Sequence, residues 1–203
     1  MQDTIIELEI RAEVDSRDLE KLKRHLDETG TLDSHTKRLS VMCFGRLGAE
    51  SIDLRTRITN GRCEVVVKKG SLGAHDRLEI AQDIASNQWM GFVRIFMQLG
   101  FPATIGERET MNYRLPGGVT ASLVLAGSVS YIELEKISVR DDVGQHRRDL
   151  HAAAKQLGLQ LLRSEAEFNA LCHHLDETVD WSFSGSDADY IRLEQLFNTY
   201  LVQ

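Results

Sequence analysis

The chain has 203 residues, 42% hydrophobic and 27% charged, which is enough for a full core and argues against both disorder and a membrane span. A formal net charge of −7 disfavours a general nucleic-acid binder, and no apolar run approaches the length of a bilayer crossing. The start, Met-Gln-Asp-Thr, does not read as a secretory signal, and the isolated Cys43, Cys63 and Cys172 fit reduced thiols better than a disulfide framework or a zinc site; a cytoplasmic protein is expected.

In Ile5-Ile6-Glu7-Leu8-Glu9-Ile10-Arg11 apolar and charged residues alternate, so a strand here puts Ile6, Leu8 and Ile10 on one face and Glu7, Glu9 and Arg11 on the other. Ser16 is placed to cap a helix with Leu19, Leu22 and Leu26 on its apolar stripe, and Gly30 to stop it. Residues 36–44 read as a strand and 45–50 as a loop. From Ser51, Ile52, Leu54, Thr56 and Ile58 alternate with Asp53, Arg55, Arg57 and Thr59, and Asn60-Gly61 supplies a two-residue hairpin turn. That turn pairs Thr59 with Arg62, Arg57 with Glu64, Arg55 with Val66 and Asp53 with Lys68. Directly paired residues share a face, so Arg55, Arg57 and Lys68 converge while Lys69 turns away.

A polar loop over 70–76 leads to Arg77-Leu78-Glu79-Ile80-Ala81, with Arg77 and Glu79 on one side. Ser86 is expected to cap a helix carrying Trp89, Phe92, Val93, Phe96 and Met97, ended by Gly100 and Pro102. A strand over 105–115 shows Arg108, Thr110 and Asn112 on one face, and Pro116-Gly117-Gly118 turns it. A hairpin of 119–125 with 129–137 follows, its second arm grouping Tyr131, Glu133 and Glu135 opposite Ile132 and Leu134. Helices are expected over 142–157, from a capping box at Ser164-Glu-Ala-Glu167, and at the end of the chain with Tyr190, Leu193, Phe197 and Tyr200; a polar stretch over 181–185 precedes the last.

These faces gather Glu7, Glu9, Glu79, Glu133 and Glu135 with Arg11, Arg55, Arg57, Lys68, Arg77 and Arg108. In a closed barrel the pattern turns the charges into a small lumen, where a polyanion with a divalent metal would satisfy both signs. Arg binds phosphate through a planar fork, Lys as a point charge, and clustered carboxylates suit Mg²⁺ or Mn²⁺. The plainer reading is an open sheet laced with surface ion pairs, against which stands their repetition on every strand, since surface pairs contribute little stability.

The ordered set resembles the CYTH superfamily, the triphosphate tunnel metalloenzymes. Glu7-Leu8-Glu9-Ile10-Arg11 is similar to its Glu-x-Glu-x-Lys signature, and Arg55/Arg57, Lys68, Arg77/Glu79 and Glu133/Glu135 follow in the family's order. The resemblance implies an α+β fold, an antiparallel eight-stranded closed β-barrel covered by helices, over residues 1–175. Residues 176–203 are then a linker and an amphipathic helix packed on that domain or on a partner. It implies Glu7, Glu9, Glu133 and Glu135 as ligands of Mg²⁺ or Mn²⁺, Arg11, Arg55, Arg57, Lys68, Arg77 and Arg108 as the triphosphate grip, and Arg11 in a catalytic position. The expected activity is a metal-dependent phosphohydrolase acting on inorganic, thiamine or nucleoside triphosphate. The alternatives are an adenylate cyclase of the CYTH type and a non-catalytic polyphosphate- or nucleotide-binding module. A small triphosphate-containing molecule is the expected partner, without nucleic acid or membrane, for a monomer or homodimer. Three positions depart from the family pattern: Arg11 replaces Lys, Gly106 stands where a Lys is common, and Ala121-Ser122-Leu123-Val124-Leu125 lacks the usual acid.

Overall fold

Period-two alternation builds the strands and helical spacing of apolar residues builds the helices. A computed structural model of the chain describes residues 5–70, 78–139 and 142–202, with side chains for all of these but 5–7 and 139. The elements run β1 (Ile5–Val14), α1 (Ser16–Thr29), β2 (Thr31–Leu47), β3 (Glu50–Thr59), β4 (Arg62–Lys69), β5 (Leu78–Ile84), α2 (Trp89–Met97), β6 (Ala103–Leu115), β7 (Val119–Ala126), β8 (Val129–Val139), α3 (Val143–Gln156), α4 (Glu165–Thr178), β9 (Trp181–Ser182) and α5 (Asp187–Leu201). They fall into two compact units, Met1–His35 with Glu109–Leu175, and Thr36–Arg108 with Asp176–Gln203.

In the first unit β1 lies antiparallel to β8, β8 to β7, and β7 to the second half of β6. Leu8 and Ala12 of β1, Ile132 and Leu134 of β8, and Ala121 and Leu123 of β7 form a core closed by Leu22 and Leu26 of α1 and by Leu150 and Ala154 of α3. The cap of α1 is Asp15, one residue earlier than expected: its carboxylate accepts the Arg17 N–H at 2.9 Å. Gly30 ends the helix in extended conformation, and a Cβ there would come 2.9 Å from Leu115 Cδ2. Before α4, Ser164 Oγ accepts the Glu167 N–H, and the Glu167 carboxylate reaches one residue further back, to the Arg163 N–H.

In the second unit the β3–β4 register is Thr59 to Arg62, Arg57 to Glu64, Arg55 to Val66 and Asp53 to Lys68, as the two-residue turn requires. Asn60 (φ 46°) and Gly61 (φ 80°) both adopt the left-handed backbone such a turn needs. β2 extends through Gly45 to Leu47, where a loop was expected, because this glycine marks a close approach: a Cβ would fall on the Phe101 ring. A 3₁₀ turn over Ser86–Gln88 delays the start of α2 to Trp89, and the Gln88 side chain accepts the Ala85 N–H. The stretch after Asp180 forms β9, which pairs Ser182 with Thr104 and Trp181 with Ile105 of β6. α5 packs on this unit's core, burying Leu193, Phe197 and Tyr200, and Phe197 stacks on the fully buried Trp89 at 4.6 Å. Among the described residues no helix is long and apolar enough to cross a membrane.

The expected α+β mixture is present, but the closed eight-stranded barrel is not. Nine strands pair in the order β1-β8-β7-β6-β2-β3-β4-β5, with β9 beside β6. Among the described residues β1 pairs only with β8 and β5 only with β4, so the sheet has two free ends. Alternation within a strand fixes which face is apolar; it carries no instruction to join the first strand to the fifth, and that step of the expectation fails.

Candidate functional site

The first unit carries an acidic cluster threaded by one guanidinium. Alternation sets Glu9 and Arg11 opposite the buried Leu8 and Ala12, and Glu133 and Glu135 opposite the buried Ile132 and Leu134. The β1–β8 register then places Glu9 across from Glu135 and Arg11 across from Glu133. Arg11 Nε donates to Glu133 Oε1 at 2.9 Å, Nη2 pairs with Glu9 Oε1 at 2.5 Å, and the guanidinium lies 4.5 Å from the Phe168 ring centroid. Burial would weaken the Arg11 charge, and Glu9 and Glu133 outweigh it, so Arg11 stays a cation.

Carboxylate oxygens of Glu9, Glu133 and Glu135 lie within 4.8 Å of one another. Burial above all, then the Glu133 charge, pushes the Glu9 carboxyl up to about 8, with Arg11 opposing and Glu135 adding to the rise. An all-oxygen donor set whose members repel one another fits a hard divalent cation, which would relieve that repulsion. On β7, where the family pattern has an acid, Thr120 stands opposite Glu135 and Ser122 opposite Glu133.

The second unit carries the basic residues, each with an acidic partner. Arg55 sets its fork on Asp53, at 2.8 and 2.7 Å, and Asp53 is 2% exposed. Arg57, 10% exposed, pairs through Nε with Glu64 at 2.9 Å and through Nη2 with Glu79 at 3.4 Å. Lys68 Nζ lies 2.5 Å from Glu79 Oε2. Burial, then the charge of Arg55, holds the Lys68 ammonium below its ordinary value; Glu79 opposes this and Arg57 adds to it. Burial works to raise the Glu79 carboxyl, yet Lys68, Arg57 and Arg55 together hold it low. The three cations are thus sheltered, at 10 to 21% exposure, while Glu79, the partner of Arg57 and Lys68, is exposed, as are the pairs Arg62–Asp83 and Lys69–Glu50 on the same open sheet.

Arg108 is engaged by a residue from much later in the chain: Nη1 and Nη2 donate to Asp180 Oδ1 and Oδ2 at 2.6 and 2.8 Å. Gly106 leaves the room for this pair, since a Cβ there would lie 2.8 Å from Asp180 Oδ1 and 3.0 Å from Arg108 Nη1. A side chain at 106 would require the ends of the Asp180, Arg108 and Met42 side chains to shift.

Of the residues named from the sequence, Glu9, Arg11, Glu133 and Glu135 come together in the first unit, and Arg55, Arg57 and Lys68 in the second. Lys69 pairs with Glu50 at 2.5 Å, away from them. The Glu7 side chain and Arg77 lie outside the described residues. Sequence reasoning placed Glu64 across from Arg57 and Asp53 across from Lys68 without naming either as a charge partner, and it missed Asp180. Asp53 sits two residues before Arg55 on the same face and Glu64 directly across from Arg57, so both were recoverable from the hairpin register; Asp180 had no signal.

Neither a family model nor a curated protein matches the chain. Solved structures do. The PH1819 protein of Pyrococcus horikoshii is 19% identical with a TM-score of 0.59, over 81% of this chain and 98% of its own. A candidate adenylate cyclase from Vibrio parahaemolyticus is 16% identical with a TM-score of 0.59, over the same shares. HpAC1 from Hippeastrum, a candidate adenylyl cyclase described as having a dominant triphosphatase activity, is 17% identical with a TM-score of 0.54, over 84% of this chain and 96% of its own. At these identities what is shared is the fold.

Proposed function

We propose that this chain, whose fold is that of the CYTH superfamily, is a metal-dependent phosphohydrolase acting on the phosphoanhydride of a small triphosphate. The observation that carries the reading is the acidic cluster of Glu9, Glu133 and Glu135, where burial and then the Glu133 charge raise the Glu9 carboxyl even against the Arg11 guanidinium. These residues would hold Mg²⁺ or Mn²⁺, which when bound neutralises charge on phosphoryl oxygens. Arg55, Arg57 and Lys68 supply the anion grip: burial and then the Arg55 charge depress the Lys68 ammonium, and an arriving phosphate would favour its charged form. Arg11 orients Glu9 and Glu133 through its fork and stays charged, so its contribution is electrostatic and it does not serve as a base. Phosphoryl transfer asks mainly for such positioning and charge stabilisation.

Inorganic triphosphate, ATP and thiamine triphosphate, offered in parallel with Mg²⁺, Mn²⁺ or EDTA, test the reading. Release of orthophosphate from at least one of them, abolished by EDTA and by Glu135→Gln in a folded protein, is expected. Cyclic AMP with pyrophosphate from ATP would assign the chain to the cyclase reading, which the description of the Vibrio protein favours, whereas the dominant triphosphatase activity described for the Hippeastrum protein favours hydrolysis. Tight binding with no product would make it a binding module.

A further inference from the structure

Phe168 closes the first turn of α4. Leu171 and Leu175 are the buried residues of that helix, while Phe168, one turn earlier on the same stripe, stays half-buried. Its ring meets a cation: Arg11 Cζ lies over the Phe168 ring, 4.5 Å from the centroid. The chain that delivers the ring is anchored at the same arginine, since the Leu162 N–H donates to the Arg11 carbonyl at 2.8 Å. Ser164 then opens the helix, its carbonyl accepting the Phe168 N–H at 3.1 Å and its hydroxyl the Glu167 N–H at 3.2 Å. Residues 162–168 thus hold Arg11 by backbone at one end and by an aromatic face at the other.

We infer that Phe168 is a positioning residue: its ring fixes the Arg11 guanidinium where it bridges Glu9 and Glu133, and through that cation it sets the two carboxylates for a divalent ion. Nε and Nη2 are spent on Glu133 and Glu9, so the ring holds the cation without competing for either donor. Without the ring, a long side chain that is 24% exposed has solvent to swing into, and the two carboxylates lose the fork that spans them. The arrangement needs an arginine. A lysine ammonium is a compact point charge, whereas a guanidinium reaches two carboxylates in a fixed geometry and stacks on an aromatic face at the same time. The arginine at position 11 and the ring at 168 are therefore two parts of one device. Groups that orient metal ligands from behind typically govern metal affinity by roughly 10- to 100-fold.

This rests on the proposed metal site for its ligand, so one arm of the test is free of metal. In EDTA, heteronuclear NMR of the nitrogen-15-labelled chain follows hydrogen exchange at the Arg11 Nε–H, assigned by its disappearance in Arg11→Gln. Exchange should be about fivefold faster or more in Phe168→Leu and return to the parent rate in Phe168→Tyr, which keeps the aromatic face. An unchanged rate in Phe168→Leu would overturn the inference. In the second arm, calorimetric titration with Mn²⁺ should give a Kd raised about fivefold or more in Phe168→Leu and within about twofold of the parent in Phe168→Tyr. Adding Phe168→Leu to Arg11→Gln should change the Kd no further, because the ring acts through the guanidinium. A ring that only packs the helix would lower Tm and leave the Mn²⁺ Kd where it was, and an effect that persisted beside Arg11→Gln would mean another route; either result overturns the inference. Phe168→Met repeats both arms with a second apolar side chain should the leucine variant not fold. A parent that binds no Mn²⁺ would sink the proposed function, and the metal-free arm alone would then decide whether the ring holds the guanidinium.

Discussion

Replacing Glu9 by Gln separates a carboxyl held neutral from one held as a free charge. With its carboxyl raised from 4.5 to about 8, the folded chain keeps a proton at Glu9 that the unfolded chain has already released. Stability from this residue is therefore complete below pH 4.5 and falls as pH rises toward 8. At 1.36 kcal/mol per pKa unit the loss by pH 8 is on the order of 4 kcal/mol. Glutamine imitates the neutral form at every pH and escapes that loss. In EDTA, melts of parent and Glu9→Gln should nearly coincide near pH 4.5 and separate by roughly 10 °C at pH 8, the variant being the more stable. Added Mg²⁺ at a hundredfold over its Kd should return about 2.7 kcal/mol to the parent and little to the variant. A gap between the two that does not change with pH would refute the crowding argument, and with it the observation on which the metal site is built.

Lys68→Ala should weaken triphosphate affinity or turnover on the order of 10²-fold, while Lys69→Ala, whose ammonium pairs with Glu50, should leave both near the parent; enzyme assay or calorimetry reads the ranking, and the reverse order would contradict the hairpin register. Inorganic triphosphate at a hundredfold over its Kd should raise Tm by roughly 5 to 11 °C and orthophosphate by far less; equal shifts would exclude a grip built for a chain of phosphates. Phe197→Ala removes the ring stacked on Trp89 and should cost about 3 to 5 kcal/mol in denaturant melts, with no change in the pH dependence attributed to Glu9.

What the sequence disclosed is what neighbouring residues decide among themselves. The Asn60-Gly61 turn is set by two backbone conformations, and it carried the pairing of Arg57 with Glu64 and of Asp53 with Lys68 along with it. Alternation likewise put Glu9 beside Arg11 and Glu133 beside Glu135 on charged faces. The failures are contacts between distant segments. Gly45 looked like the end of a strand because Phe101, which lies over it, is far along the chain. Asp180 joins Arg108 across 72 positions through a strand of two residues, too short to show any period. Barrel closure belongs with these, since it would need a ladder between β1 and β5 that no local pattern encodes. Asp15 displaced Ser16 as a cap for a subtler reason: both residue types cap well, and only the backbone at the junction chooses.

The free end of the sheet at β5 bears on how the protein behaves as a colloid. Leu78 and Ile80 are 54% and 59% exposed, and no described strand continues the ladder beyond them, so this edge is a template for another chain to extend. Its guards are Glu79 and Asp83, which interrupt the apolar run with charge. The Arg62 guanidinium holds the Asp83 carboxyl below its ordinary range, and Lys68 with Arg57 and Arg55 does the same for Glu79 against burial, so both guards stay ionised into mild acid. The cations assigned to gripping phosphate thus also keep Glu79 charged on this edge. A variant stripped of Lys68 leaves Glu79 easier to protonate, and acidic storage will clump it before it clumps the parent.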